Sequence, residues 1–297
     1  MANFELTGSI IALATPFLEN GKVDYAAFDR MLDFYASNGT AGVVVCGTSG
    51  ETPTLTEEED AEMFAHTVKK VAGRMKVIAG TGSNCTAECI KYTGTAKAAG
   101  VDAVLVVGPY YNKPSQKGMY EHFAAVAEAV DVPIIMYNVP GRTGSKINAE
   151  TTLALAEKYP NIVGIKEASG NIASIEALVA GRKPGFKIYS GDDATSMVSN
   201  LLGADGCISV AAGVIPADFS AMMKYSLEGN LEKALEIHYK YRNLFSLLFI
   251  ESNPIPVKAA LAEMGMIKEI YRLPLCPMAP ENRAKLVAEM KKLGIVK

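Results

Sequence analysis

Lys166 is the residue whose type and placement most invite chemistry. It closes the apolar run Ile162-Val-Gly-Ile-Lys166, and a lysine buried on such a run is costly unless its charge is used or lost. Desolvation, with a cation such as Arg142 near by, favours the neutral amine, a nucleophile able to form a Schiff base with a carbonyl substrate. The plainer alternative is a lysine that snorkels from a strand end into solvent. Tyr137 closes a second apolar run, Pro133-Ile-Ile-Met-Tyr137. Beside that amine its phenol could shuttle protons during imine formation; otherwise it is a core tyrosine with a bonded hydroxyl. Thr48 and Ser49 sit between Gly47 and Gly50, in a turn that can offer N–H groups to a carboxylate and hydroxyls to a proton chain, or is only a tight turn. Arg142 follows a Pro-Gly turn. Its fork suits a carboxylate, and a surface arginine reads the same.

These residues need elements to carry them, and the chain supplies a regular alternation. Strands are predicted at Ser9–Leu13, Ala41–Cys46, Lys76–Ala79, Asp102–Val107, Pro133–Tyr137, Ile162–Lys166, Phe186–Tyr189 and Gly206–Ser209. Helix-period segments lie between them, among them Tyr25–Ser37, Glu57–Ala72, Ala87–Ala99 and Lys117–Ala129. Asp24, Thr56, Thr86 and Ser115 stand where N-caps belong, and Gly39, Gly73 and Gly100 stand just past helix ends. The strands are apolar throughout, as a parallel sheet covered on both faces requires. An open doubly wound sheet is the alternative, but Gly80-Thr-Gly82-Ser-Asn-Cys85 fails the dinucleotide fingerprint at its last position. The expectation is an α/β chain folded as a (β/α)8 TIM barrel over residues 1–228, carrying the active site. Residues 229–297 read as a helical C-terminal extension, with helix-like segments at Leu231–Leu248, Pro256–Met264 and Pro280–Leu293.

Barrels of this kind place reactive groups where strands end. That rule selects Gly47-Thr48-Ser49-Gly50-Glu51, Gly108-Pro-Tyr110-Tyr111-Asn112, Tyr137 through Gly144, Lys166-Glu167, Gly191-Asp192-Asp193 and Ile208-Ser209. Absences narrow the chemistry further. The histidines His66, His122 and His238 all fall on predicted helices, none in a metal-binding spacing, so neither a metal-dependent aldolase nor a Ser-His-Asp hydrolase is supported. Asp192-Asp193 stands where phosphate-binding barrels carry neutral or basic loops, which argues against phosphorylated substrates.

With 297 residues, 49% hydrophobic and 21% charged, the chain has an ordinary globular composition. A net charge of −3 and the lack of a basic block argue against nucleic acid and acidic membranes as partners. An anionic substrate would therefore have to find its positive charge inside the site. No targeting signal or membrane-length apolar stretch is read, so a cytoplasmic protein is expected. The five cysteines, Cys46, Cys85, Cys89, Cys207 and Cys276, are odd in number and scattered. They are read as buried small hydrophobes rather than disulfides or zinc ligands.

Taken together, Gly47-Thr-Ser-Gly-Glu51, Pro109-Tyr-Tyr-Asn112, Tyr137-Asn-Val-Pro-Gly-Arg-Thr-Gly144, Gly164-Ile-Lys-Glu-Ala168 and Asn253-Pro-Ile-Pro-Val-Lys258 closely resemble the dihydrodipicolinate synthase family, within the N-acetylneuraminate lyase-like barrels. The motifs follow the family's order and cover nearly the whole chain. The resemblance implies condensation of pyruvate with L-aspartate-4-semialdehyde to 4-hydroxy-tetrahydrodipicolinate, on the route to diaminopimelate and lysine, without a cofactor or metal. It implies Lys166 as the Schiff-base lysine and Tyr137 as the proton donor and acceptor. Thr48 would link Tyr137 to Tyr111 of a neighbouring subunit, within a homotetramer built as a dimer of dimers. Ser49 would hold the pyruvate carboxylate, Ile208 would offer its carbonyl near the same ligand, and Arg142 would gather the semialdehyde carboxylate; Gly191 is grouped with these substrate-binding positions.

Two departures from the family pattern stand out. Ser49 replaces the usual threonine, which keeps the hydroxyl. Asn84, Glu88 and Tyr110 match an allosteric lysine site, but Glu57 and Asp60 stand where lysine-inhibited members often carry histidines, so weak or absent inhibition is expected. Two other readings stay open: another class I pyruvate aldolase acting on a sialic acid or 2-keto-3-deoxy sugar acid, and a catalytically silent barrel that only binds. Arg142 favours the semialdehyde over the sugar acids, whose hydroxyls call for other polar groups at that place.

Overall fold

The computed structural model describes residues 4–297. Its centre is a closed barrel of eight parallel strands in sequential order: β1 (Gly8–Ala12), β2 (Gly42–Val45), β3 (Lys76–Gly80), β4 (Ala103–Val107), β5 (Ile134–Asn138), β6 (Ile162–Glu167), β7 (Lys187–Ser190) and β8 (Gly206–Ser209), with β8 pairing back onto β1. Around it run α1 (Tyr25–Ala36), α2 (Glu57–Val71), α3 (Thr86–Ala98), α4 (Gln116–Ala129), the single turn α5 (Pro140–Thr143), α6 (Ala149–Lys158), α7 (Ile172–Gly181), α8 (Ser196–Leu201) and α9 (Pro216–Leu227). The expected barrel is present, and its strands lie within a residue or two of the expected runs. Helix starts follow from local hydrogen bonding. Asp24, Thr56 and Ser115 each accept an N–H from the first turn, and Thr56 with Glu59 completes a capping box. Thr86 is a correction: it is the first residue of α3 rather than its cap, and its hydroxyl is engaged with His122 Nδ1 at 3.0 Å.

Alternation along the strands sorts the apolar side chains into two cores. Ile10, Val44, Ile78, Leu105, Ile135, Tyr137, Tyr189 and Ile208 fill the barrel interior, while Ile11, Val43, Val45, Ile134, Met136 and Ile165 pack outward against the helices. The outer core continues into α10 (Leu231–Leu247), α11 (Ile255–Glu263) and α12 (Pro280–Lys292) through Tyr241, Leu244, Phe245, Val257 and Leu286. Phe245 meets Phe219 of α9 edge to face, 6.1 Å between centroids. The last helices are thereby fixed to the barrel, and the α10–α11 connection reaches the carboxyl ends of the strands. Cys46, Cys89 and Cys207 are buried free thiols as expected, whereas Cys85 and Cys276 are exposed. Among the described residues no helix is long and apolar enough to cross a membrane.

Candidate active site

Strand register sets Lys166 between two tyrosines, with Tyr137 of β5 on one side and Tyr189 of β7 on the other. Ile165 packs outward and Tyr137 and Tyr189 inward, so alternation turns the Lys166 side chain into the barrel mouth. Lys166 is 6% exposed, and its Nζ lies 4.5 Å from the centroid of the Tyr137 ring. The Tyr189 hydroxyl is occupied by the Leu6 carbonyl at 2.9 Å. Among the described residues no such bond holds the Tyr137 hydroxyl.

Gly191 makes room for the lysine. A Cβ at this position would lie 2.5 Å from Ala168 Cβ and 2.7 Å from Lys166 Cε, closer than carbon atoms pack, so only glycine lets the chain pass beneath the lysine stem. Two residues on, the buried Asp193 accepts from the Ser209 hydroxyl at 2.6 Å and the Ala211 N–H at 2.9 Å. Burial pushes its carboxyl up to about 6, against the pull of those two hydrogen bonds and of the Lys166 charge. Asp193 thus ties the turn after β7 to the end of β8, a role the sequence pattern did not reveal.

Thr48, Ser49 and Gly50 form a 3-10 turn after β2. The Thr15 hydroxyl donates to the Gly50 carbonyl at 2.7 Å, and Glu51 leaves the turn in the left-handed region with φ 57°. Ser49 is 1% exposed, and its Oγ accepts from Asn253 Nδ2 at 3.0 Å. Arg142, on α5, donates through Nη2 to the Asn253 carbonyl at 3.1 Å. Asn253 comes from the α10–α11 connection and carried no role in the sequence reading. Nor did the buried ion pair of Glu51 with Lys258 on α11, in which Glu51 also accepts the Arg272 N–H at 3.1 Å. The signal for Lys258 was available: like Lys166, it is a charged residue inside an apolar segment, Ile255-Pro-Val-Lys-Ala-Ala-Leu261.

A cavity of about 220 Å³ brings together Thr48, Ser49, Tyr137, Arg142, Lys166, Gly191 and Asn253. A wider cavity of about 530 Å³ shares Thr48, Tyr137, Arg142 and Asn253 with it and runs outward past Ser83, Glu88 and Tyr110 to Glu57 and Asp60. Other expected residues fall elsewhere. Ile208 is wholly buried in the barrel interior, and Val210 forms the β8 side of the smaller cavity. Tyr111 stands 88% exposed at φ 69° and lines neither cavity. Asn84 also lines neither; its carbonyl accepts from Asn112 Nδ2 at 2.9 Å. Among the described residues no hydrogen bond joins Thr48 to Tyr137. The smaller cavity combines an amine, a phenol, two hydroxyls and a guanidinium, which suits attack on a carbonyl compound that carries a carboxylate.

The family model for the dihydrodipicolinate synthetase family matches residues 5–293. The chain belongs to this family. It is 48% identical to the 4-hydroxy-tetrahydrodipicolinate synthase of Chlorobaculum parvum across the full length of both chains. The crystal structure of the Aquifex aeolicus dihydrodipicolinate synthase superposes with a TM-score of 0.95 at 48% identity, covering 97% of this chain and 98% of that one. A chloride-inhibited synthase from Acinetobacter baumannii, complexed with pyruvate, gives 0.96 at 44% identity, covering 98% of this chain and all of the other. Another, from Cyanidioschyzon merolae with lysine bound, gives 0.95 at 42% identity over 98% and 99% of the two chains.

Proposed function

We propose that this enzyme condenses pyruvate with L-aspartate-4-semialdehyde to 4-hydroxy-tetrahydrodipicolinate through a Schiff base on Lys166. The observation that carries the mechanism is the burial of the Lys166 amine against the Tyr137 ring, in a cavity that also holds Ser49 and Arg142. Full-length relatives bearing the synthase name support the substrate pair.

The neutral amine attacks the keto carbon of pyruvate, and loss of water leaves the imine. Loss of a methyl proton gives the enamine, whose carbon forms the new bond to the aldehyde. The amino group of the semialdehyde half then attacks the imine carbon, closing the ring and returning the Lys166 amine. Tyr137 receives and returns the protons these steps require. Ser49 holds the pyruvate carboxylate, and Arg142 gathers the carboxylate of the second substrate. No step calls for a metal or redox cofactor. Tyr111 is assigned to a neighbouring subunit's site, where it meets Thr48. That role needs at least a dimer and fits a tetramer, in a protein of the cytoplasm.

Borohydride trapping in the presence of pyruvate tests the chemistry, with a pyruvate adduct on Lys166 read by mass spectrometry. Absence of that adduct would sink the Schiff-base assignment. A coupled assay with both substrates, run beside N-acetylneuraminate cleavage, tests the substrate pair; cleavage without condensation would overturn it.

A further inference from the structure

We infer that Asn253, contributed by the connection between α10 and α11, is a positioning residue that aims the Ser49 hydroxyl at pyruvate. The inference rests on the reading of Ser49 as the group that holds the pyruvate carboxylate. Asn253 Nδ2 can only donate, so Ser49 Oγ, 3.0 Å away, is the acceptor. With one lone-pair direction filled from that side, the single Ser49 proton is turned elsewhere. Both residues line the smaller cavity, together with Lys166. A carboxylate entering there meets a donor already oriented, and no hydroxyl rotation has to be fixed on binding.

The same residue reaches the second carboxylate group by a different atom, since its main-chain carbonyl accepts from Arg142 Nη2 at 3.1 Å. Asn253 is 6% exposed, and among the described residues its buried Oδ1 has no hydrogen-bond partner. An unmet buried acceptor is costly, and a residue serving only to fill space there would be apolar. The one bond this amide makes is the one to Ser49 among the described residues. This separation of roles divides the two substrates. The side chain governs pyruvate through Ser49, and the backbone supports Arg142 whatever the side chain is.

The test measures how much pyruvate half-saturates borohydride trapping on Lys166, a readout independent of turnover. N253A is expected to raise that concentration about three- to tenfold, the worth of one neutral hydrogen bond, while the KM for the semialdehyde moves little. S49A should raise it similarly, and N253A with S49A should be no worse than S49A alone. N253D keeps the shape but places an acceptor where the donor stood. It should weaken pyruvate more than N253A does, and it carries the test should N253A not fold. Wild-type half-saturation in N253D, or additive losses in the double variant, would overturn the inference. No adduct in the unaltered protein would instead overturn the Lys166 assignment on which it rests.

Discussion

Lys258 of α11 is hydrogen-bonded to Glu51 of the loop after β2, with side-chain exposures of 0% and 1%. The lysine is further enclosed by the rings of Phe17 and Tyr271, 4.4 and 5.0 Å from Nζ to the centroids, and burial draws it towards its neutral form. Glu51 directly follows the turn that carries Thr48 and Ser49, so this pair fastens that turn to the last helices of the chain. Removing one partner leaves the other charge buried and uncompensated. Lys258→Met is therefore expected to cost about 3–5 kcal/mol of stability, read as a lower urea midpoint. Combining it with Glu51→Gln should restore much of the loss. A single-variant cost below about 1 kcal/mol, the range of an exposed pair, would contradict the assignment.

Gly191→Ala tests the close approach beneath Lys166. The added methyl would meet Ala168 Cβ at 2.5 Å and Lys166 Cε at 2.7 Å. The lysine stem can swing aside, but Ala168 Cβ moves only with its backbone, so the turn after β7 must shift as well as the amine. Loss of turnover of about tenfold or more is expected, since misplacement of a reacting group by about 1 Å can cost about a hundredfold. The rate of pyruvate adduct formation should fall in parallel, with native circular dichroism. An adduct rate equal to wild type would show that the lysine does not depend on this glycine.

The barrel was legible because a sheet covered on both faces writes its strands as apolar runs, and punctuation by Asp24, Thr56, Ser115 and the glycines marked the helices between them. Lys166 and Tyr137 were legible for a related reason, as polar residues closing such runs at the end where barrels do chemistry. Thr86 misled because a threonine at a helix start can either cap or turn its hydroxyl to a neighbouring helix, and His122 decides which. Asn253 carried no local mark, and Lys258, visible as a charge inside an apolar segment, gave no sign of its partner. Their partners Ser49 and Glu51 lie 204 and 207 residues away, and no local periodicity encodes such contacts. Asp193 was visible only as an acidic residue in a loop. Its burial and its bonds to β8 follow from barrel closure.

Feedback by lysine is expected to be weak or absent. Glu88 and Tyr110 line the wider cavity, but Glu57 and Asp60 line it with them. Lysine brings a carboxylate as well as two ammonium groups, and the carboxylates of Glu57 and Asp60 add negative charge to the walls that would have to receive it. Lys91 is ion-paired with Glu57, so its charge is already committed. Burial raises Asp60 to about 6, which still leaves it mostly ionised at neutral pH. Steady-state rates measured across a lysine series should stay near the uninhibited value. A micromolar inhibition constant would overturn this expectation.

Asp193 gives the stability of the fold a defined pH dependence. Its carboxyl titrates near 3.8 in an ordinary setting and at about 6 in the folded chain, because burial disfavours the charged form. The folded state therefore binds this proton more tightly than the unfolded state does. The stabilisation is complete below about pH 4 and is lost as pH rises through about 6. At ~1.4 kcal/mol for each pH unit of difference, the change is on the order of 3 kcal/mol. Asp193→Asn removes the titration. Its amide oxygen can keep the Ala211 N–H while its N–H₂ faces the Ser209 oxygen. Urea unfolding of both proteins between pH 4 and 7.5 should show the wild type losing ground to the variant up to about pH 6, then a constant difference. A difference independent of pH would mean that Asp193 ionises with its ordinary affinity despite its burial.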